Sequence, residues 1–137
     1  MPESLLILKN IIMHELWIAR RILTILDQQK ACFDHQRLKS VLVEIGELIA
    51  IEPSSLLFSF DVIKKNSIAE SATLFITLVL GQAWCDHCQK KSRMPNYFAT
   101  CPICQQMLSK IIQGESIHLK NVEVYSCVEF AAVNVKK

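Results

Sequence analysis

Hydrophobic residues recur along the first part of the chain with the spacing of an α-helix. Between residues 16 and 26 the apolar side chains fall three or four positions apart, and a polar run, 27–30, follows. Because this spacing places the apolar side chains on one face, it predicts an amphipathic helix. The same stripe extends upstream through Leu5, Leu8 and Ile12, so the helix could continue toward the start of the sequence.

Further along the chain, apolar residues recur at every second position. Residues 39–46 and 72–80 have the alternation and β-branched content of strands. Between them, Pro53 occupies the position expected for the first residue of a helix, and helical spacing continues to Ile63. A last alternating segment, 116–125, slips in phase near its middle, which indicates a bulge. This order predicts an α+β fold in which two helices accompany a small mixed three-stranded sheet.

Residues 81–108 lose this regularity and carry two Cys-x-x-Cys pairs. The pairs are Cys85 with Cys88 and Cys101 with Cys104, and 12 residues separate them. Each pair forms a tight turn that directs two thiolates at one point, and two such turns close the tetrahedron of a structural zinc site. We therefore expect an inserted, zinc-ribbon-like module that its metal helps to fold. Iron in the same four-sulfur environment is an alternative that geometry alone does not exclude.

The residues around the cysteines qualify this prediction. Gln89 and Gln105 follow the second cysteine of each pair, where zinc knuckles usually have glycine, and a side chain at positive φ costs about 1 kcal/mol. His87, inside the first pair, is expected to face solvent. Four protein ligands leave no open position for a catalytic water, which argues against a zinc hydrolase.

Composition and charge exclude several classes of protein. The 137 residues suffice for one domain with an inserted module, and 51% hydrophobic with 20% charged residues excludes disorder over most of the length. A net charge of +2 is too small for a dedicated nucleic-acid surface. No apolar run approaches the ~20 residues of a membrane span, and the first residues do not resemble a signal peptide. Six cysteines without a secretory signal indicate a reducing, cytoplasmic location. The low net charge and the short apolar runs predict neither nucleic acid nor a membrane as a partner.

The remaining cysteines and histidines carry weaker signals. Cys32 and Cys127 stand alone in apolar surroundings and are expected to be buried or incidental thiols, although they could pair with each other in an oxidised sample. His35 and His118 have no identifiable partner, and His118 should face solvent from its strand.

Several short motifs together resemble the HypA/HybF family of hydrogenase nickel-incorporation proteins. The motifs are Met13-His14-Glu15-Leu16, Gly46-Glu47-Leu48, Pro53 with the apolar helix after it, and the two cysteine pairs. The resemblance runs from Met13 to about Tyr125. It implies four parts: an extension at 1–12, a nickel-binding α/β domain at 13–80 plus 109–125, a zinc-binding module at 81–108, and a tail at 126–137.

The resemblance also implies a function. Proteins of this family are metallochaperones and not enzymes, and they pass Ni(II), with a HypB-type GTPase, to the large-subunit precursor of [NiFe]-hydrogenase. Carried over to this sequence, His14 is the nickel ligand, Glu15 contributes beside it, and Cys85, Cys88, Cys101 and Cys104 hold structural zinc. Nickel is then transient cargo, and a homodimer is left open.

The start of the sequence departs from the family, in which Met-His begins the polypeptide. Here twelve residues precede Met13. If Met13 is the true initiator, its amine, the next backbone nitrogens and the His14 imidazole provide the planar nitrogen set that Ni(II) favours. If the extension is real and helical, those amides are hydrogen-bonded and the terminal amine lies roughly 18 Å away. Nickel would then bind weakly, through His14 and a carboxylate such as Glu15.

Two other functions remain open. The first is a zinc-ribbon nucleic-acid binder, since Lys90, Lys91 and Arg93 cluster between the cysteine pairs and Tyr97 and Phe98 could stack on bases. The rest of the chain, however, supplies no continuing basic stripe. The second is a four-sulfur iron electron carrier, which would be coloured when purified.

Overall fold

The first helix is longer than the amphipathic segment that predicts it. The computed structural model of the chain describes residues 3–34, 36–125 and 132–133. Helix α1 runs from Glu3 to Gln28, so the predicted helix is confirmed and extends upstream through the segment that precedes Met13. Its buried face lies on the helical stripe. The apolar members of that face are Ile18, Ala19, Ile22, Leu23 and Leu26.

The second helix begins and ends where its sequence predicts. Helix α2 spans Pro53–Ile63, with the proline in its first turn. The Glu52 carboxylate precedes it and accepts a hydrogen bond of 2.8 Å from the Ser54 hydroxyl. The Lys64 amide closes the helix on the Phe60 carbonyl at 3.0 Å, and Phe60 is fully buried.

The strands form two small sheets. The strands are β1 (Leu38–Gly46), β2 (Thr73–Val79), β3 (Gln82–Cys85), β4 (Lys90–Arg93), β5 (Lys110–Gln113), β6 (Ile117–Val124) and β7 (Ala132–Val133). One sheet has the order β2-β1-β6-β7 and the other β4-β3-β5. The predicted α+β class is confirmed. The first sheet has a fourth strand because the short β7, in the segment expected to be a tail, pairs antiparallel with β6.

Burial along β6 follows the predicted change of phase. Leu119 is buried, and the next buried positions are Val122 and Val124 instead of 121 and 123. His118 is exposed on this strand, as expected.

The chain forms two compact units, each with its own core. The first contains the described residues within 1–42, 51–75 and 119–137, and the second contains 43–50 and 76–118. The largest fully buried side chains of the first unit include Phe33, Phe60 and Leu26. Leu48, Met94 and Leu108 pack around two of the paired cysteines in the second unit. The domain limits implied by the family resemblance remain predictions.

Two glycines of the second unit allow its backbone segments to approach very closely. A Cβ on Gly81 would lie 2.0 Å from the Met94 carbonyl oxygen, and one on Gly46 would lie 2.1 Å from that of Gly114. The Met94 amide donates to the Gly81 carbonyl at 2.8 Å, and the Gly46 amide donates to Ser116 at the same distance. The entry into β3 is therefore held against the end of β4, and the end of β1 against the segment after β5, by backbone contacts that a side chain would obstruct.

Of the two possibilities given for the isolated cysteines, Cys32 is an incidental thiol. Cys32 is exposed and not buried, because it lies in the short 3-10 turn Lys30–Phe33, whose one buried side chain is Phe33. Cys127 and His35 lie outside the described residues. Within the described part of the chain, no helix has the length and apolar character needed to cross a membrane.

Candidate metal centres

The four paired cysteines converge on one point in the second unit. Their sulfur atoms all lie within 4.8 Å of one another. The Sγ atoms of Cys85 and Cys104 are 3.6 Å apart, and those of Cys101 and Cys88 are 3.9 Å apart. A disulfide needs about 2.05 Å, so the arrangement is a set of four separate thiols.

These distances fit a tetrahedral metal ion. Zn–S bonds of about 2.3 Å in a regular tetrahedron place neighbouring sulfurs about 3.8 Å apart, between the two separations above. The donor set is therefore suited to zinc or iron. Because the chain supplies all four donors, such an ion would have no open coordination position.

Both cysteine turns adopt the knuckle conformation despite lacking glycine. Gln89 has φ 55° and Gln105 has φ 62°, both in the left-handed region. The Gln89 amide donates to the Cys85 carbonyl and the Gln105 amide to the Cys101 carbonyl, each at 2.8 Å. The two turns thus have the same conformation, and each contains one side chain strained by a positive φ.

The surroundings of the sulfurs favour thiolate at one corner and oppose it at another. Hydrogen bonds from the Cys104 and Ile103 amides lower the pKa of Cys101 to about 6. Burial, together with the neighbouring thiols, raises the pKa of Cys88 to about 12. Four thiolates at this spacing repel one another unless a cation lies between them, so a divalent ion would stabilise the cluster by removing that repulsion.

Apolar packing partly shields the cluster from water. Cys85 and Cys101 are buried, while Cys88 and Cys104 are half-buried. Ala83 and Leu108 pack against them in the same core. His87, inside the first turn, is exposed, as the sequence predicts.

His14 and Glu15 are neighbours in sequence but lie in different environments on α1. His14 is exposed, and Trp17, one turn later, is 60% exposed. The Glu15 side chain is fully buried. Since α1 is continuous from Glu3, the backbone amides of both residues lie within the helix.

The Glu15 carboxylate connects the two helices of the first unit. Its Oε1 accepts a hydrogen bond of 2.9 Å from the Glu52 amide, immediately before α2. Its Oε2 is buried and has no partner within the described residues. The stripe of Ile18, Ala19 and Ile22, read one turn toward the start of the chain, includes position 15, and this is the signal that could have predicted its burial.

Sequence reasoning missed the contacts of Glu47. Its Oε2 accepts a hydrogen bond of 3.0 Å from the Gly81 amide, and its Oε1 lies 2.5 Å from the Arg93 guanidinium. The Gly81 amide, followed by Arg93, lowers the pKa of the Glu47 carboxyl against the opposing effect of burial. This carboxylate therefore links the segments that lead into and out of the β3–β4 hairpin.

Comparison with known proteins connects both regions to one family. Residues 13–124 match the family described as hydrogenase/urease nickel incorporation, metallochaperone, HypA. The hydrogenase maturation factor HypA of Psychromonas ingrahamii is 38% identical over 112 residues, which cover 82% of this chain and 98% of that protein. The corresponding factor of Legionella pneumophila is 36% identical and covers 82% of this chain and 99% of its own length.

The fold is similar to that of solved structures. The solution structure of the Ni metallochaperone HypA from Helicobacter pylori aligns with a TM-score of 0.59 at 20% identity, covering 80% of this chain and 96% of that one. A second HypA solution structure aligns with a TM-score of 0.57 at 22% identity, over 82% and 97% of the two chains.

Proposed function

Because this chain belongs to the HypA family of hydrogenase/urease nickel-incorporation metallochaperones, we propose that it carries nickel(II) for the maturation of hydrogenase. Two separate regions of the chain bind the two metal ions in this proposal. The four-cysteine cage holds a structural ion, and the region of His14 holds the nickel that is handed on. The observation that carries this proposal is the contrast between them: a closed, shielded set of four thiols in one unit and an exposed imidazole on a helix of the other.

We assign zinc to the cage. Cys85, Cys88, Cys101 and Cys104 would hold it, and the ion would supply cross-linking and charge neutralisation to a module with a small apolar core. Cargo bound in this cage would be difficult to release, because it would have to break four thiolate bonds. Release is easier from a site with few protein ligands, which is what the surroundings of His14 offer.

We assign nickel to His14. While α1 is intact, the donor exposed there is the imidazole, because the amides are occupied within the helix. A chain that began at Met13 would have a free amine and unpaired amides at this point, and these nitrogens with the imidazole would form the planar set that Ni(II) favours. The chain that begins at Met1 is therefore expected to bind nickel more weakly than one that begins at Met13.

Glu15 contributes beside His14, and we propose that it does so in two ways. Its backbone nitrogen is available to the metal when the first turn is open. Its side chain holds α1 against the start of α2 through the 2.9 Å bond to Glu52, which fixes where His14 lies in the first unit.

We base the partner, the recipient and the location on the family. We propose that the chain acts with a HypB-type GTPase, that the recipient is the large-subunit precursor of [NiFe]-hydrogenase, and that this takes place in the cytoplasm. The chain itself catalyses no reaction in this scheme. A homodimer would be compatible with it.

Hydrogenase activation at limiting nickel tests the proposal. The matched pair of variants is His14→Ala and His118→Ala, since both histidines are exposed and lie in different elements. We expect the first to abolish activation while zinc content and circular dichroism stay unchanged, and the second to behave as wild type. Full activation by His14→Ala would refute the nickel assignment.

A further inference from the structure

The outer face of the β4-β3-β5 sheet carries a tryptophan between two lysines. Trp84 on β3 is directly opposite Lys91 on β4 and Lys110 on β5. Directly opposite residues in antiparallel strands share a face, with Cβ atoms about 5 Å apart. The next row on this face places Gln82 opposite Arg93. We call Gln82, Trp84, Lys91, Arg93 and Lys110 the tryptophan face.

This face is directed away from the sulfur cage. The alternate positions of β3, Ala83 and Cys85, are buried in the core around the cysteines, so Gln82 and Trp84 project from the opposite side of the sheet. Trp84 is half-buried and Lys91 is exposed. Beside them, at the irregularity in the pairing of β5, Ile112 is 45% exposed. The centre of the face is therefore apolar and its margins are basic.

The charges on this face are only partly neutralised. Lys110 pairs with Asp86 at 3.0 Å and Arg93 pairs with Glu47 at 2.5 Å. Lys91 forms no ion pair with any residue that the structure describes, and the same is true of Lys90 beside it. Between residues 81 and 113 the sequence has four basic residues and one acidic residue, whereas the rest has eleven basic and twelve acidic. The segment from β3 to β5 thus has a local excess of positive charge.

We propose that the tryptophan face is a docking surface for an acidic segment of a partner protein, which covers Trp84 with an apolar side chain and pairs a carboxylate with Lys91. Tryptophan at the centre of a patch with a charged rim is the usual anatomy of a protein interface. Nucleic acid fits less well, because Lys110 and Arg93 are already paired with Asp86 and Glu47. A phosphate backbone needs several free cations, whereas a single carboxylate needs one. This inference rests on the proposed function only in its choice of candidate partners.

Binding of the zinc-loaded chain to two purified proteins tests it. The probes are the nickel-free large-subunit precursor of hydrogenase and the HypB-type GTPase. We expect Lys91→Glu to weaken binding to one of them about tenfold and to flatten its dependence on salt. Trp84→Ala should weaken the same binding at least as much. Lys65→Glu, at an exposed lysine of the first unit, should have no effect. Because Lys91 is exposed, its replacement tests the face even if Trp84→Ala fails to fold.

Three results would overturn the inference. The first is a dissociation constant of Lys91→Glu within twofold of wild type for both proteins. The second is no binding of the wild-type chain to either protein. The third is a single-stranded oligonucleotide that binds and is lost in Lys91→Glu while protein binding is unchanged. His14→Ala separates this inference from the nickel assignment, since it should lose nickel and still dock.

Discussion

Replacing Gly81 by alanine should loosen the base of the zinc module by an amount that the structure allows us to work out. The new Cβ would lie 2.0 Å from the Met94 carbonyl oxygen. Ordinary van der Waals contact is near 3.5 Å, so the two backbone segments would have to separate by about 1.5 Å. That movement would break the bond from the Gly81 amide to the Glu47 carboxylate, which is 3.0 Å long in the native chain.

The expected cost has two parts. Overpacking of a rigid backbone contact costs about 1–3 kcal/mol, and losing a hydrogen bond to a charged group costs about 1.5–3 kcal/mol. Together they predict that Gly81→Ala lowers the free energy of unfolding of the second unit by about 4 kcal/mol. This is a large part of the 5–15 kcal/mol that stabilises a typical domain.

Urea unfolding of the zinc-loaded chain measures this cost. The sequence has two tryptophans, so in a Trp17→Phe background the fluorescence of Trp84 reports on the second unit. Glu47→Gln removes the charge at the other end of the same hydrogen bond, and the double variant should therefore lose less than the sum of the two single losses. A loss below about 1 kcal/mol for Gly81→Ala, or strict additivity in the double variant, would refute the reasoning.

Four further predictions concern single side chains. The fold lowers the pKa of the Glu47 carboxyl, so the ionised carboxylate stabilises the fold fully above the ordinary pKa of about 4.3, and this stabilisation is lost as pH falls through the lowered pKa. Acid titration of wild type and Glu47→Gln should therefore show their difference in stability shrinking below pH ~4.3. A difference that stays constant with pH would contradict this prediction. Cys101→Ser should abolish stoichiometric zinc in metal analysis, and retention of one zinc per chain would count against the cage. Phe60→Ala should cost about 3–5 kcal/mol in urea unfolding, because the ring is fully buried in the first unit, and should leave zinc content unchanged. Cys32→Ser should change stability by less than about 0.5 kcal/mol, because this thiol is exposed; a larger loss would indicate a packing role.

Local sequence signals predicted much of the fold. Pro53 marked the start of α2, and the two cysteine spacings identified the four sulfurs that converge. These predictions succeeded because a helix start and a knuckle depend on residues a few positions apart. The turns at Gln89 and Gln105 formed without glycine, since each needs one strained residue, gains a hydrogen bond and directs two cysteine sulfurs toward the cluster.

Contacts between distant residues could not be predicted in the same way. Glu47 meets Gly81 and Arg93, which are 34 and 46 positions away in sequence, and no local pattern encodes that meeting. Glu15 appeared to be a polar residue at the head of a helix, whereas tertiary packing buries it against the start of α2. For Cys32 the sequence left burial undecided, because apolar neighbours in sequence do not ensure burial within a short turn.

Nickel titration of the zinc-loaded chain tests the central claim most directly. Trp17 lies three positions after His14 and is 60% exposed, so in a Trp84→Phe background a Ni(II) ion bound at His14 should quench its fluorescence. We predict one nickel per chain in addition to zinc, tighter binding when the chain begins at Met13 than at Met1, and no quenching in His14→Ala. Equal quenching with and without His14, or no nickel bound beyond the thiolate cage in either form, would contradict the account.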